Sequence, residues 1–441
     1  MNIKRLVLGA AAGALAVTGA QAADLPVVVE PVDYVQICSA YGDGFFFVPG
    51  TEGCLRIRGR VRVDFTNRFD LDNNGVVLAN RGYDDIADTG YQWKARGQIS
   101  LDHFTETEFG QLRTFVNLQM NRDSGVGIDG TPTDNVLLDQ GFIQLGGLLV
   151  GRNASNFVSV VGGPEVILDT AGDNPNILQA AYIAQFGNGL SAAVAIEDTT
   201  RRRPGIGNIT TFFAGGNGVG PRQSLSGHYA GAKVPDLVAT LAVDQGWGSA
   251  SLSGVLRMLD VARRINGPAG STFIDSTQEL GWAVAGNVSV NVPFGAATSF
   301  AIGAGYGQGA TRYLSGGATN ASFGGRGNLL FTDGIYRGTG VRQNGNVNGN
   351  DFEKTEALVI GASLTSAFTP TVAGTLAGGW VNLQNDNTIR EVNDFNVNAQ
   401  LAYTPVSGFL IAAGVEYRYA DVTNSQDGQG LGTYIRLQRD F

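Results

Sequence analysis

Four arginines alternate through one short stretch. In Leu55–Asn67 (LRIRGRVRVDFTN), Arg56, Arg58, Arg60 and Arg62 share one parity with Asp64 and Thr66, while Leu55, Ile57, Gly59, Val61, Val63 and Phe65 share the other. A guanidinium keeps its charge in any protein setting, so these groups cannot act as acids or bases. Their chemistry is electrostatic: they attract anions, orient dipolar solutes, and demand water or carboxylates along the whole face. A strand delivers that arrangement, because alternate side chains point to opposite faces and same-face neighbours stand roughly 7 Å apart. A helix would scatter the arginines around its axis. The apolar face opposite needs either a core or lipid.

More cations sit on the polar parity of other alternating segments. Lys94 and Arg96 lie in Tyr91–His103, Arg113 in Gly110–Asn121, Arg418 in Phe409–Tyr419 and Arg436 in Thr433–Phe441. If the first and last segments are neighbours in a closed sheet, all nine cations gather on one wall, a basic lining for a polar path. Catalytic chemistry is not indicated. His103 and His228 are the only histidines and stand in no catalytic or metal-binding motif. Gly303–Gly307 carries Gly-x-Gly spacing without the strand–turn–helix setting of a phosphate loop. Asp70–Asn74 reads as a solvated loop rather than a cation site. No enzyme activity, cofactor or metal is expected.

The first residues form a secretory leader: Lys4 and Arg5, the apolar run Leu6–Val17, then Ala20-Gln21-Ala22. Removing residues 1–22 leaves 28 basic against 39 acidic residues, a net charge of about −11, which argues against a nucleic-acid partner. Two cysteines remain, Cys38 and Cys54. In an oxidising compartment they are expected to form a disulfide that pins the glycine- and aromatic-rich loop Tyr34–Gly53 against the first strand.

No stretch after the leader approaches the twenty or so apolar residues of a membrane helix. A spanning protein must then be a closed barrel, since only helices and barrels satisfy their backbone groups in lipid. About sixteen alternating segments follow Leu55. The connections alternate in length. Long ones are expected at Arg68–Asp88, Arg122–Asn135, Asn153–Ile177, Asp198–Pro235, Asp260–Glu279, Gly307–Lys354, Gln384–Asn393 and Val422–Gly432. Short ones separate them at Thr105–Phe109, Gly146-Gly147, Gly187–Gly189, Gln245–Gly248, Pro293–Thr298, Ser366–Thr371 and Thr404–Gly408. Long external loops and short periplasmic turns are the pattern of outer-membrane barrels. Tyr91, Trp93, Trp282, Tyr306, Tyr403, Tyr417, Tyr419 and Phe441 lie on the apolar parity near segment ends, as an interfacial girdle requires. The reading is an all-β, sixteen-stranded antiparallel transmembrane barrel: leader 1–22, a periplasmic segment with the disulfide loop at 23–54, and the barrel at 55–441.

Val32–Phe65 (VDYVQICSAYGDGFFFVPGTEGCLRIRGRVRVDF), Leu237–Gly254 (LVATLAVDQGWGSASLSG) and Tyr434–Phe441 (YIRLQRDF) resemble blocks of the alphaproteobacterial general porins. The resemblance covers the chain beyond its leader. It implies a trimeric outer-membrane porin passing small hydrophilic solutes and ions by diffusion. It also implies that the third external loop, here about Asn153–Ile177 with Glu165, Asp169 and Asp173, folds inward to form an acidic constriction facing the basic wall. Phe441 takes the place of the C-terminal assembly signal. The expected partners are a homotrimer, outer-membrane lipid and lipopolysaccharide, and the barrel-assembly machinery during insertion, in a Gram-negative outer membrane. The alternatives are a substrate-specific channel, for a sugar or an anion, and a secreted β-rich binding protein. The polar parity carries no aromatic track of the kind a sugar path would use, which favours the general channel.

Overall fold

The computed structural model describes residues 36–70, 91–124, 132–160, 174–208, 211–213, 222–267, 270–293, 297–315, 332–336, 339–341, 347–348, 352–386, 391–423 and 427–441. The leader, residues 1–22, lies outside them. So do Glu165, Asp169 and Asp173 of the expected constriction loop and the loop residues Asp72–Asn74.

Sixteen long strands form the wall. They are β1 Cys54–Asp70, β2 Tyr91–Thr107, β3 Gly110–Asp123, β4 Thr133–Leu145, β5 Leu148–Ala154, β6 Asn176–Gly187, β7 Leu190–Glu197 and β8 Asp236–Gln245. The second half comprises β9 Gly248–Gly267, β10 Gly270–Val292, β11 Ala297–Gln308, β12 Glu356–Thr369, β13 Val372–Gln384, β14 Glu391–Val406, β15 Phe409–Val422 and β16 Gly428–Asp440. Each pairs antiparallel with its sequence neighbours, and β16 pairs with β1 from Arg60↔Asp440 to Asp70↔Gly430, which closes the barrel. The two-residue turn Asn188-Gly189 has positive φ at both positions (49° and 74°), the twist a tight hairpin needs.

Alternation sorts the side chains as a barrel requires. Ile57 and Val61 are 55% and 51% exposed on the outer face, whereas Asp64, two pairs further along the inner parity from Arg60, is 6% exposed. Leu101, Leu252, Ile302, Val397 and Leu437 continue the outer apolar band around the barrel. Reversing the faces would place the β1 arginines in lipid at roughly 2–4 kcal/mol each near the midplane. Phe441 locks the seam: its backbone exchanges two hydrogen bonds with Gly59, and its ring occupies the space a Cβ at Gly59 would need, at 2.2 Å.

One expectation is corrected. Asp260–Glu279 is not a long loop: β9 and β10 stay paired from Asp260↔Gln278 out to Gly267↔Gly270, an extended hairpin that rises above the barrel rim. The strand Arg222–Tyr229 pairs with this extension from Ser224↔Asn266 to Tyr229↔Val261. A small three-stranded sheet joins two loops, with Gly334–Tyr336 between Phe352–Lys354 and Gly207–Asn208.

Candidate functional site

The barrel's interior has two unlike walls. On the first, β15, β16, β1, β2 and β3 are consecutive neighbours, so closure brings Arg418, Arg436, Arg56, Arg58, Arg60, Arg62, Lys94, Arg96 and Arg113 onto one curved surface. The wall supplies its own carboxylates. Asp102, 1% exposed, accepts from Arg56 at 3.1 Å and from Arg113 at 2.8 and 3.1 Å, and Arg58 stands 3.9 Å away. Asp64 holds Arg62 at 3.0 Å and Arg436 at 2.6 Å. Arg60 donates to Asp440 at 2.6 Å, Lys94 lies 3.8 Å from Asp123, and Arg96 donates to Asn121 at 2.8 Å. Arg418 is buried and paired with buried Asp394. Such pairing lets like charges crowd along one strand, because a shared carboxylate offsets their repulsion.

Exposure along this wall is uneven. Of the nine cations only Arg58 ranks as exposed, its side chain 48% accessible; that of Arg60 is 41% accessible. A cleft of about 320 Å³ opens beside them, lined by Arg58, Arg60, Gln98, Ser100, Asn117 and Asp440 among others. This is the polar surface that the β1 arginines announced. The carboxylates Asp394 and Asp123 were missed; Asp394 falls one residue before the alternating segment read from Phe395.

The second wall is dry. The described start of the loop after β5 runs inward across the barrel. Asn156 donates its N–H to Glu197 on β7 at 2.7 Å, its carbonyl accepts from Thr240 on β8, Val158 N–H donates to Ser253 Oγ on β9, and the Ser159 carbonyl accepts from Asn287 on β10. In a ring of sixteen strands, β9 lies diametrically across from β1. A one-turn helix, Thr311–Leu314, from the loop after β11 packs against the same region. Phe157, Val160, Tyr313 and Leu314 bury themselves against small inward side chains such as Ala181, Ala195, Val238, Val255, Ala283 and Val359. Where these loops seat, small and apolar inward side chains predominate, with Glu197, Thr240, Ser253 and Asn287 set among them as the polar groups that hold the loop.

A charged latch sits above that core. Arg257 on β9 reaches Asp333 at 2.7 Å and Asp236 at 3.7 Å, and all three are essentially inaccessible. Tyr313 donates to Asp236 at 2.8 Å, Tyr229 donates to Asp333, and Thr311 gives Asp333 its N–H and hydroxyl at 3.0 and 3.1 Å. The Arg202 guanidinium lies 4.1 Å over the Tyr313 ring. Burial pushes the Asp333 carboxyl above its ordinary value, with Arg257 pulling the other way, and burial likewise raises the Tyr229 and Tyr313 phenols. The latch ties two loops to the wall, and no feature of the sequence pattern pointed to it.

At the end of the barrel bearing the short turns, Cys38 and Cys54 are joined in a disulfide. Phe46-Phe47 adds two residues of pairing to the start of β1. No group of three or more potential metal ligands occurs among the described residues.

A sixteen-stranded closed wall, an inward-running start to the third loop and a polar lumen face are joined by a family match: the family described as the porin subfamily matches residues 24–439. The chain belongs to this porin family. Porin Omp2b of Brucella suis is 35% identical over 270 residues, which is 58% of this chain and 66% of that protein. Porin Omp2b of Brucella abortus is 34% identical over 271 residues, with the same shares. The solved structure of the outer membrane channel DcaP of Acinetobacter baumannii is 18% identical, aligns over 90% of this chain and 99% of its own, and has a TM-score of 0.58, a likeness of fold. This porin is a multi-pass β-barrel channel protein of the bacterial outer membrane. No helix among its described residues is long and apolar enough to cross the membrane, and its strands do the crossing.

Proposed function

We propose that this porin is a passive diffusion channel for small hydrophilic solutes and ions, and that its conducting path runs along the charged wall of β15 to β3. The observation that carries this reading is the contrast inside the barrel. Loops and small apolar side chains fill the β6–β12 side, while Arg58, Arg60 and their polar neighbours face an open cleft. Charges on a low-dielectric wall focus their field into the water beside them, which orients dipolar solutes and disfavours apolar ones. Arg56, Arg62, Lys94, Arg113, Arg418 and Arg436 hold that wall together through their carboxylates, and Arg96 does so through Asn121. Arg58 and Arg60 act most directly on passing ions. Glu165, Asp169 and Asp173, on the inward third loop, complete the constriction from the other side. The functional unit is a homotrimer, and Phe441 serves as the recognition element for barrel assembly.

Single-channel conductance and reversal potential in a salt gradient test the reading. Arg58→Ser with Arg60→Ser widens the path and shifts selectivity toward cations. Wild-type values for both quantities would place these arginines off the conducting path and overturn the proposal. Crosslinking in mild detergent tests assembly: a persistent monomer would contradict the trimer.

A further inference from the structure

We propose that the loop closed by Cys38–Cys54 is a positioning element of the channel: Phe45 and Tyr41 form an aromatic lip on the inner rim of the short-turn mouth, holding Arg56 against Asp102 so that Arg58 meets the solution there. The inference rests on the reading that the charged wall lines the conducting path.

The chain enters this loop through an Ile37↔Phe46 bridge, with Cys38 N–H donating to the Phe45 carbonyl and Phe47 N–H to that of Gln36, each at 2.9 Å. It returns through Phe46-Phe47 paired with Leu55 and Cys54. The side chains that matter do not stay outside the rim. Phe45 is 2% exposed and meets Phe104 edge-on at 5.4 Å. Tyr41 stacks on the same ring at 4.9 Å and donates its hydroxyl to Glu106 at 2.8 Å. Phe104 and Glu106 share the inward parity of Asp102 and Ser100 on β2, so this aromatic cluster occupies the lumen side.

Two guanidiniums rest on it. That of Arg56 lies 4.3 Å from the Phe45 ring centre; that of Arg113 lies 5.2 Å from Phe104 and is held as well by the wall rings Phe115 and Phe142 at 5.4 and 5.3 Å. Each therefore has a face against a ring while its edge meets Asp102. An aromatic face attracts a cation and holds it flat against the ring, which fixes the group's position at the wall and keeps its charge back from the pore. Arg58, two residues along β1, has a side chain 48% accessible. The disulfide keeps the loop docked by removing most of the freedom it would have when detached.

The assembled, full-length mature channel in planar bilayers tests this. The readout is the anion-to-cation permeability ratio from the reversal potential, measured for Phe45→Leu, Phe45→Tyr, Cys38→Ser with Cys54→Ser, and Arg58→Ser. A dithiol added to the wild-type channel gives the same release chemically. It supplies two electrons, the S–S bond breaks, both cysteines take up protons as thiols, and the dithiol closes to its own disulfide. Freeing Arg56 adds positive field at the mouth, so Phe45→Leu, the serine pair and reduction each raise the anion ratio about twofold. Phe45→Tyr restores the wild-type ratio because the ring is kept. If the serine pair fails to assemble, Phe45→Leu and reduction of the folded channel carry the test. An unchanged ratio in both, with Arg58→Ser lowering it, would make the loop a mere staple and refute the inference while the wall reading stands. An unchanged ratio in Arg58→Ser as well would refute both.

Discussion

The two sides of this lumen use charge in opposite ways. Along β16 to β3, arginines and carboxylates pair at a surface that stays partly open, with only Arg418 on β15 buried against Asp394; the Arg58 side chain is 48% accessible and the Asp102 it approaches is 1% exposed. Across the barrel, Arg257, Asp236 and Asp333 are equally charged but wholly enclosed, beneath loops whose apolar residues seal the β6–β12 side. The same residue types thus produce a field that solutes meet on one side and a clamp that holds loops in place on the other. The difference lies in desolvation. A buried ion pair gains attraction in a low dielectric but loses hydration, so it is a specific fastener rather than a source of net stability, and removing one partner is costly. A half-exposed pair costs little to hold and leaves field in the water.

The largest effect should come from breaking the enclosed pair. Arg257→Met strands two buried carboxylates, and the barrel should lose about 3–5 kcal/mol, seen as a lower urea midpoint for unfolding from detergent or lipid vesicles. A midpoint unchanged from wild type would show that the latch does not fasten the two loops to the wall. The equivalent change on the open wall should act on current more than on stability. Asp102→Asn leaves Arg56, Arg58 and Arg113 without their shared counter-charge, so anion preference should rise in reversal-potential measurements, with a stability loss of about 1–3 kcal/mol. The comparison fails if Asp102→Asn costs as much stability as Arg257→Met and leaves selectivity alone.

The smallest effect is a pH dependence. Burial holds the Asp333 carboxyl above its ordinary range, so the folded protein binds this proton at a higher pH than the unfolded chain does. Folding is then favoured by proton uptake: this group's contribution is full below the unfolded value and is lost as pH rises through the folded one. Wild type should gain stability relative to Asp333→Asn as pH is lowered through that window. Parallel profiles for the two proteins would contradict the assignment.

The barrel was legible because its two faces meet different solvents. Ile57, Val61 and Leu101 had to alternate with Arg56, Arg60 and Asp102, and the closure that gathers nine cations follows from β1 and β16 being neighbours. The reading failed where that contrast disappears. Leu259, Val261 and Arg263 face a packed interior of loop residues, so the hairpin extension of β9 and β10 carried no alternation and passed for a loop. Ala195, Val238 and Val255 look like weak lumen residues until Phe157 and Tyr313 are seated on them. The Arg257 latch joins residues 76 positions apart through a loop contact, and strand periodicity has no means of recording it.

Substituted-cysteine reactivity compares the two walls most directly, since both native cysteines are held in a disulfide. In separate channels, Arg58→Cys places a thiol on the charged wall and Val238→Cys places one on the dry wall. Each is exposed to a charged, thiol-reactive methanethiosulfonate during single-channel recording. Fast modification with a stepwise fall in current is expected at position 58, and no change at position 238. Equal reaction at both positions, or reaction at 238 alone, would show that solutes do not travel along the charged wall.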